Sequence, residues 1–273
     1  MHYDIIPVLY PELTHTNTYP IFIEHLNAHL QYSDLFICIS KNSQLDLLTH
    51  AQEVSQQVNI NTTTIRLGAD TPNTDTLQQG LPEPLLNNKY ILCVGTIEPR
   101  KNHQLLLDAF EHFSHKLPDV ILVLVGRSGW HADELINRIK NNEWYQKRVF
   151  WLDRINDELL GEIYKHAFLT VIPSLYEGFG LPVIEALQHG CVTLSSNKGA
   201  LTEAGGEYAD YFDPDDLEAL TSLLDAHLDT DRWLVKKNRL KSYHPSGWDE
   251  TARELVTILQ NNYRDWKRPR HDI

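Results

Sequence analysis

The chain has 273 residues, enough for two modest domains. Its formal charge of −13 argues against non-specific nucleic-acid binding, which needs a basic surface. With 42% apolar and 22% charged residues, no apolar run long enough to span a bilayer and no signal peptide, it reads as a water-facing globular protein of the cytoplasm.

Strand and helix signals alternate along the chain, which predicts parallel sheets covered by helices. The first stretch predicts a strand at 4–8, a helix at 19–31, a strand at 35–40, a helix at 43–51 and a strand at 63–67. Residues 69–88 carry Gly80, Pro72, Pro82 and Pro84 without periodicity and read as a linker between a first domain at 1–68 and a second at 89–247. The second domain opens with a strand at 90–94. Asn102 is the expected N-cap of a helix with Leu105, Leu106, Ala109, Phe110 and Phe113 on its apolar face. A strand at 120–125, a helix at 133–141, a strand at 149–152 and a helix capped by Asn156 and running to His166 follow. Strands at 168–172, 192–195 and 208–212 complete the sheet, and helices from Asp215, Asp231 and Trp248 end the chain. Cys38, Cys93 and Cys191 fall in strands without a paired motif, as buried thiols of a reducing compartment do. Glu24, His25 and His29 share a helix, yet no Glu stands between the histidines as in a zinc His-Glu-x-x-His pattern.

The stretch from Ser174 to Glu185 carries the most chemistry. It puts Glu177 and Glu185 on either side of a glycine turn that enters a helix, with Pro182 suited to the first helical position. The amides of Phe179, Gly180 and Leu181 then face forward at the positive end of that helix, which is a seat for phosphate. Gly178 and Gly180 let an anion approach the main chain. Two carboxylates beside a phosphate repel it, unless the ligand carries hydroxyl groups on both sides of the phosphate. A nucleotide-sugar has that layout. Arg100 and Lys101, at a helix start where cations are unfavourable, are placed to meet the same phosphate.

This segment resembles the Glu-x7-Glu motif of the retaining glycosyltransferases of family 4, also called group 1, which have the GT-B fold. The run from Tyr90 to Asn102 is similar to the first strand and phosphate loop of that family's donor-binding domain, and the runs from Val120 to Trp130 and from Val149 to Ile155 fall where its next strands lie. Tyr3 to Pro7, Asp34 to Ser40 and Thr64 to Asp70 look like the last part of the family's N-terminal domain. The resemblance therefore implies a complete C-terminal Rossmann-like donor domain and a partial N-terminal one, with residues 248–273 packing back toward the latter.

By the same resemblance, Glu177, Arg100 and Lys101 are the catalytic set. Glu177 holds hydroxyls of the donor sugar and the two cations meet the leaving phosphate. Gly95, Thr96, Leu152, Arg154, Gly178, Phe179, Gly180, Leu181 and Glu185 bind the rest of the donor, Glu185 at the ribose and the loop of Leu152 and Arg154 at the base. Arg154 either stacks on the base or is an exposed arginine, and Tyr3, where many relatives have a His near the donor sugar, either takes that place or is a wall of the core or of the cleft. Many relatives carry Arg where Thr96 stands and Gly where Asp153 stands. Glu203 matches the family, whereas Ala204, Gly205 and Gly206 replace a bulkier segment.

The implied activity is sugar transfer with retention, without metal or other cofactor, in cell-surface polysaccharide synthesis. The lean is to GDP-mannose or a deoxysugar donor and a glycan or lipid-linked acceptor, with peripheral contact at the inner membrane face. The alternative is a donor-binding module that needs a partner chain to complete its N-terminal domain. A nucleotide-sugar 2-epimerase fits the Glu-Gly-Phe-Gly loop less well.

Overall fold

The computed structural model describes residues 1–54, 60–69, 80–116 and 118–266. Half of the expected linker, residues 70–79, lies outside them.

The chain opens with α1 (Ile6–Leu9) and α2 (Thr18–Tyr32), then β1 (Phe36–Cys38), α3 (Lys41–Val54) and β2 (Thr62–Thr64). β1 and β2 pair in parallel with Phe36 opposite Thr62, and His2 makes a parallel bridge to Cys38 on the other side of β1. Ile5, Leu26, Leu30, Phe36, Cys38 and Leu47 form the core of this layer. The strand expected at 4–8 is instead the α1 turn. Pro7 sits in its first two positions, and the Asp4 carboxylate accepts from the Ile6 amide at 3.0 Å. The fixed φ of proline and this short side-chain bond favour a turn over an extended run.

After α4 (Glu83–Asn87), six parallel strands form the second sheet: β3 (Lys89–Val94), β4 (Val120–Val125), β5 (Val149–Leu152), β6 (Leu169–Ile172), β7 (Thr193–Ser196) and β8 (Asp210–Phe212), in the spatial order β5-β4-β3-β6-β7-β8. Lys89 faces Val120, Leu122 faces Val149 and Ile91 faces Leu169 across the ladders. All of β4 is buried, as its unbroken apolar run requires when helices cover both faces. Side chains alternate between the faces: Ile91 and Cys93 pack with Leu106, Phe110 and Leu122, whereas Tyr90 and Leu92 pack with Ile163, Tyr164 and Ala186.

The helices are α5 (His103–Phe113), α6 (Asp133–Asn141), α7 (Asp157–His166), α8 (Leu181–Gln188), α9 (Leu201–Gly205), α10 (Leu217–Ala226), α11 (Thr230–Arg239) and α12 (Trp248–Trp266). Asn156 caps α7 as expected, accepting from the Leu159 amide. Asn102 does not cap α5. It adopts a left-handed conformation at φ 52° that closes the 3-10 turn Pro99–Lys101, and its side-chain amide donates to the Pro214 carbonyl at 3.0 Å. Pro182 is the second residue of α8 rather than the first. α12 lies against the first layer, where Thr251 donates to the Arg66 carbonyl at 2.8 Å.

Candidate functional site

The strand order turns back at β3, which has β4 on one side and β6 on the other. Open α/β sheets bind ligands at the carboxyl edge of such a switch point. The two loops that leave β3 and β6 there are the two that carry Arg100, Lys101 and Glu177. Strand order thus brings together residues about 76 positions apart.

Arg100 Nη1 donates to Glu177 Oε2 at 2.6 Å and to the Tyr176 carbonyl at 3.1 Å. Its other nitrogen reaches Glu98 Oε1 at 2.7 Å. Lys101 Nζ and Ser174 Oγ both donate to Glu177 Oε1, at 2.5 and 2.8 Å. Glu177 is 8% exposed and Glu98 2%. Burial alone pushes the Glu177 carboxyl up, but Lys101, Arg100 and the hydrogen bonds outweigh it and hold it below the ordinary range. Glu98 and Asp4 go the other way: burial pushes both upward, and their nearby cations recover only part of the shift. Three carboxyls therefore lie near two cations, and of the three Glu177 alone has its pKa lowered.

Gly95 lies under the Lys101 stem, whose carbons would be 3.4–3.6 Å from a Cβ placed there. Beside Glu177, residues 177–180 are all buried. They lie in the seam between the two layers rather than in the core of either. A Cβ on Gly178 would meet the Asp4 side chain at 2.8 Å, and Phe179 packs with Ile39, Leu67 and Ile184 from both sides of the seam. Gly180 takes φ 101°, a conformation only glycine holds without strain, and so turns the chain into α8. Among the described residues no acceptor meets the amides of Phe179, Gly180 or Leu181. Glu185, one turn into α8, is half-buried and accepts from the Tyr164 hydroxyl at 3.2 Å, and burial raises its pKa.

Thr96 packs against Gly129 of the neighbouring loop, and Leu152 ends β5 half-buried. Arg154 is not brought in: its side chain is 80% exposed, and Asp153 stands 3.7 Å away. Tyr3 belongs to neither core nor seam; it is exposed and lines a groove of about 270 Å³ with His2, His25 and His29.

Several residues of the seam lie outside the set expected from the sequence. Tyr176 donates its hydroxyl to Asp46 and accepts from Asn42, both at 2.8 Å, and its ring packs on Tyr10 at 4.9 Å. Glu203 reaches across to α3 and accepts from the Lys41 amide at 2.9 Å and the Asn42 amide at 3.4 Å. Ser40 and Ser43 donate to the Gly178 carbonyl at 2.7 and 2.9 Å. The signal for the serines was present, since an i, i+3 pair opening a helix is a cap, but nothing in the sequence tells which carbonyl lies opposite.

The model for "Glycosyl transferases group 1" matches residues 81–244. The chain is 32% identical over 221 residues to the serotype-specific mannosyltransferase WbdA of Escherichia coli, covering 77% of this chain and 27% of that protein. It is 35% identical over 180 residues to the O-antigen chain mannosyltransferase B of the same organism, covering 63% of this chain and 45% of that one. It therefore spans less than half the length of either relative. Among solved structures, sucrose-phosphate synthase from Thermosynechococcus elongatus superposes with a TM-score of 0.68 at 24% identity, covering 90% of this chain and 62% of that one. Anabaena Alr3699/HepE in complex with UDP and glucose gives a TM-score of 0.71 at 16% identity, covering 95% and 70%. These likenesses show the GT-B fold, and with the match over the whole six-stranded sheet the chain belongs to the group 1 glycosyltransferases.

Proposed function

We propose that the chain moves a sugar from a nucleotide-diphospho-sugar to a hydroxyl of a glycan or lipid-linked acceptor, with retention, in the synthesis of a cell-surface polysaccharide. The observation that carries this is the Glu177–Arg100–Lys101 cluster beside the Gly178–Gly180 bend. Breaking the bond to the anomeric carbon puts negative charge on the leaving diphosphate, and fixed cations with aligned amides stabilise that charge. Arg100 and Lys101 supply the cations, so leaving-group charge needs no metal ion in this reading. The amides at the start of α8 supply the dipoles. Glu177, ionised by its neighbours, has two oxygens to accept sugar hydroxyls once the cations turn partly to phosphate. Glu185 takes the ribose. The acceptor hydroxyl then attacks from the face the diphosphate leaves, and the diphosphate takes its proton. The mannosyltransferase names of the relatives favour GDP-mannose as the donor.

Titration calorimetry with UDP, GDP and dTDP tests the seat, and nucleotide release with the matching sugar donor tests the chemistry. One diphosphate should bind, and Glu177→Ala should lower transfer about 10²–10³-fold. Binding by none of the three, or turnover unchanged in the variant, refutes the reading.

A further inference from the structure

Gly178 sits between two peptide groups that are each held from outside the bend. The Glu177 carbonyl accepts from the Ala200 amide at 2.9 Å. The Gly178 carbonyl accepts from two hydroxyls of the opposite layer, Ser40 and Ser43. Both serines are buried, at 1% and 0% exposure. Ser40 Oγ also accepts from the Ser43 amide at 2.9 Å, as the cap of α3, and lies 3.0 Å from Ser43 Oγ; of the two acceptors within reach of its single proton, the Gly178 carbonyl at 2.7 Å is the nearer. Two lone pairs on one carbonyl are thus matched by two donors.

The described chain has no cis peptide, so the Phe179 N–H points opposite the Gly178 carbonyl in the same plane. Holding the carbonyl toward α3 turns that N–H away from α3. A glycine on the N-terminal side of this peptide would otherwise let it rotate and present a carbonyl oxygen instead. Two hydrogen bonds on the oxygen also polarise the amide and strengthen its N–H as a donor.

We propose that Ser40 and Ser43 are positioning residues for the diphosphate: they fix and polarise the Gly178–Phe179 peptide so that the Phe179 N–H faces the leaving group. This rests on the donor-binding reading above. It also means that one layer tunes the anion seat of the other without touching the ligand.

The test uses the full chain and calorimetry with GDP, UDP and dTDP and with the matching nucleosides. Ser43→Ala removes one donor and keeps the Ser40 cap. It should weaken the diphosphate that binds by about three- to tenfold and leave the nucleoside unchanged. Ser40→Thr, which keeps hydroxyl and cap, should bind like the parent. A second measurement needs no variant: the Phe179 amide resonance should shift when that diphosphate is added and stay in place with the nucleoside. An unchanged diphosphate affinity in Ser43→Ala, an equal loss for the nucleoside, or a Phe179 amide that does not respond overturns the proposal and leaves the donor reading standing. Failure of every diphosphate to bind the parent chain overturns both.

Discussion

At Asp4 the balance of burial and charge can be read as a pH effect. Burial raises its carboxyl above the ordinary 3.8, while the Ile6 amide and Arg100 pull it down less strongly. The folded chain therefore holds that proton more tightly than the unfolded chain. Its contribution to stability is full below 3.8 and is lost as pH rises through the folded value. Asp4→Asn keeps the acceptor for Ile6 and never ionises. It should melt higher than the parent at neutral pH, with the difference closing as pH falls to about 3. Melting curves of both proteins across pH 3–8 check this, and a difference independent of pH rejects the account. Neither Asp4 nor Glu98 stood out in the sequence as part of the charge cluster, because what singles them out is burial, which only the packed layers produce. Glu177, Arg100 and Lys101 did stand out. Each lies in a local pattern whose chemistry is odd without a ligand: cations at a helix start and an acid beside a glycine turn.

The elements of the second sheet were legible because their signals are short-range. The runs of β4 and β5 and the span of α6 coincide with expectation, and the caps at Asn156, Asp216 and Asp229 lie within two residues of the starts expected for their helices. The errors fall where a side chain finds a partner the pattern cannot name, as Asn102 does at Pro214. Loop-to-loop contact is similarly invisible, and Gly126 illustrates it. A Cβ there would lie 2.0 Å from the Gly95 carbonyl oxygen, a backbone atom that cannot swing aside. Gly126→Ala should therefore cost about 2–3 kcal/mol and loosen the loop after β3 that presents Arg100 and Lys101. Gly80→Ala, with nothing within 4 Å, is the control and should stay within about 0.5 kcal/mol. Urea titration of the three proteins decides, and equal midpoints would show that the loops yield freely.

On the scale of the molecule, the alternation of strands and helices announced two parallel sheets, and the family motif announced their relation. What it could not announce was the seam. Ser40, Ser43 and Asn42 on one side and Gly178, Tyr176 and Glu203 on the other are joined by hydrogen bonds spanning 134–162 positions. Glu203 supplies the first two amides of α3 with their acceptor. Glu203→Ala should cost about 1–2 kcal/mol, as loss of a helix cap does, and should speed hydrogen exchange at Lys41 and Asn42. Exchange unchanged at those two amides would show that water replaces the carboxylate at no cost.

That same carboxylate sets a timetable for the newborn chain. Lys41 leaves the ribosome with only water to meet its amide, and the carboxylate that takes water's place is made 162 residues later. At about 5–20 residues per second, that is a wait of roughly 8–30 s. The opening layer finishes its own architecture only after most of its neighbour has been translated.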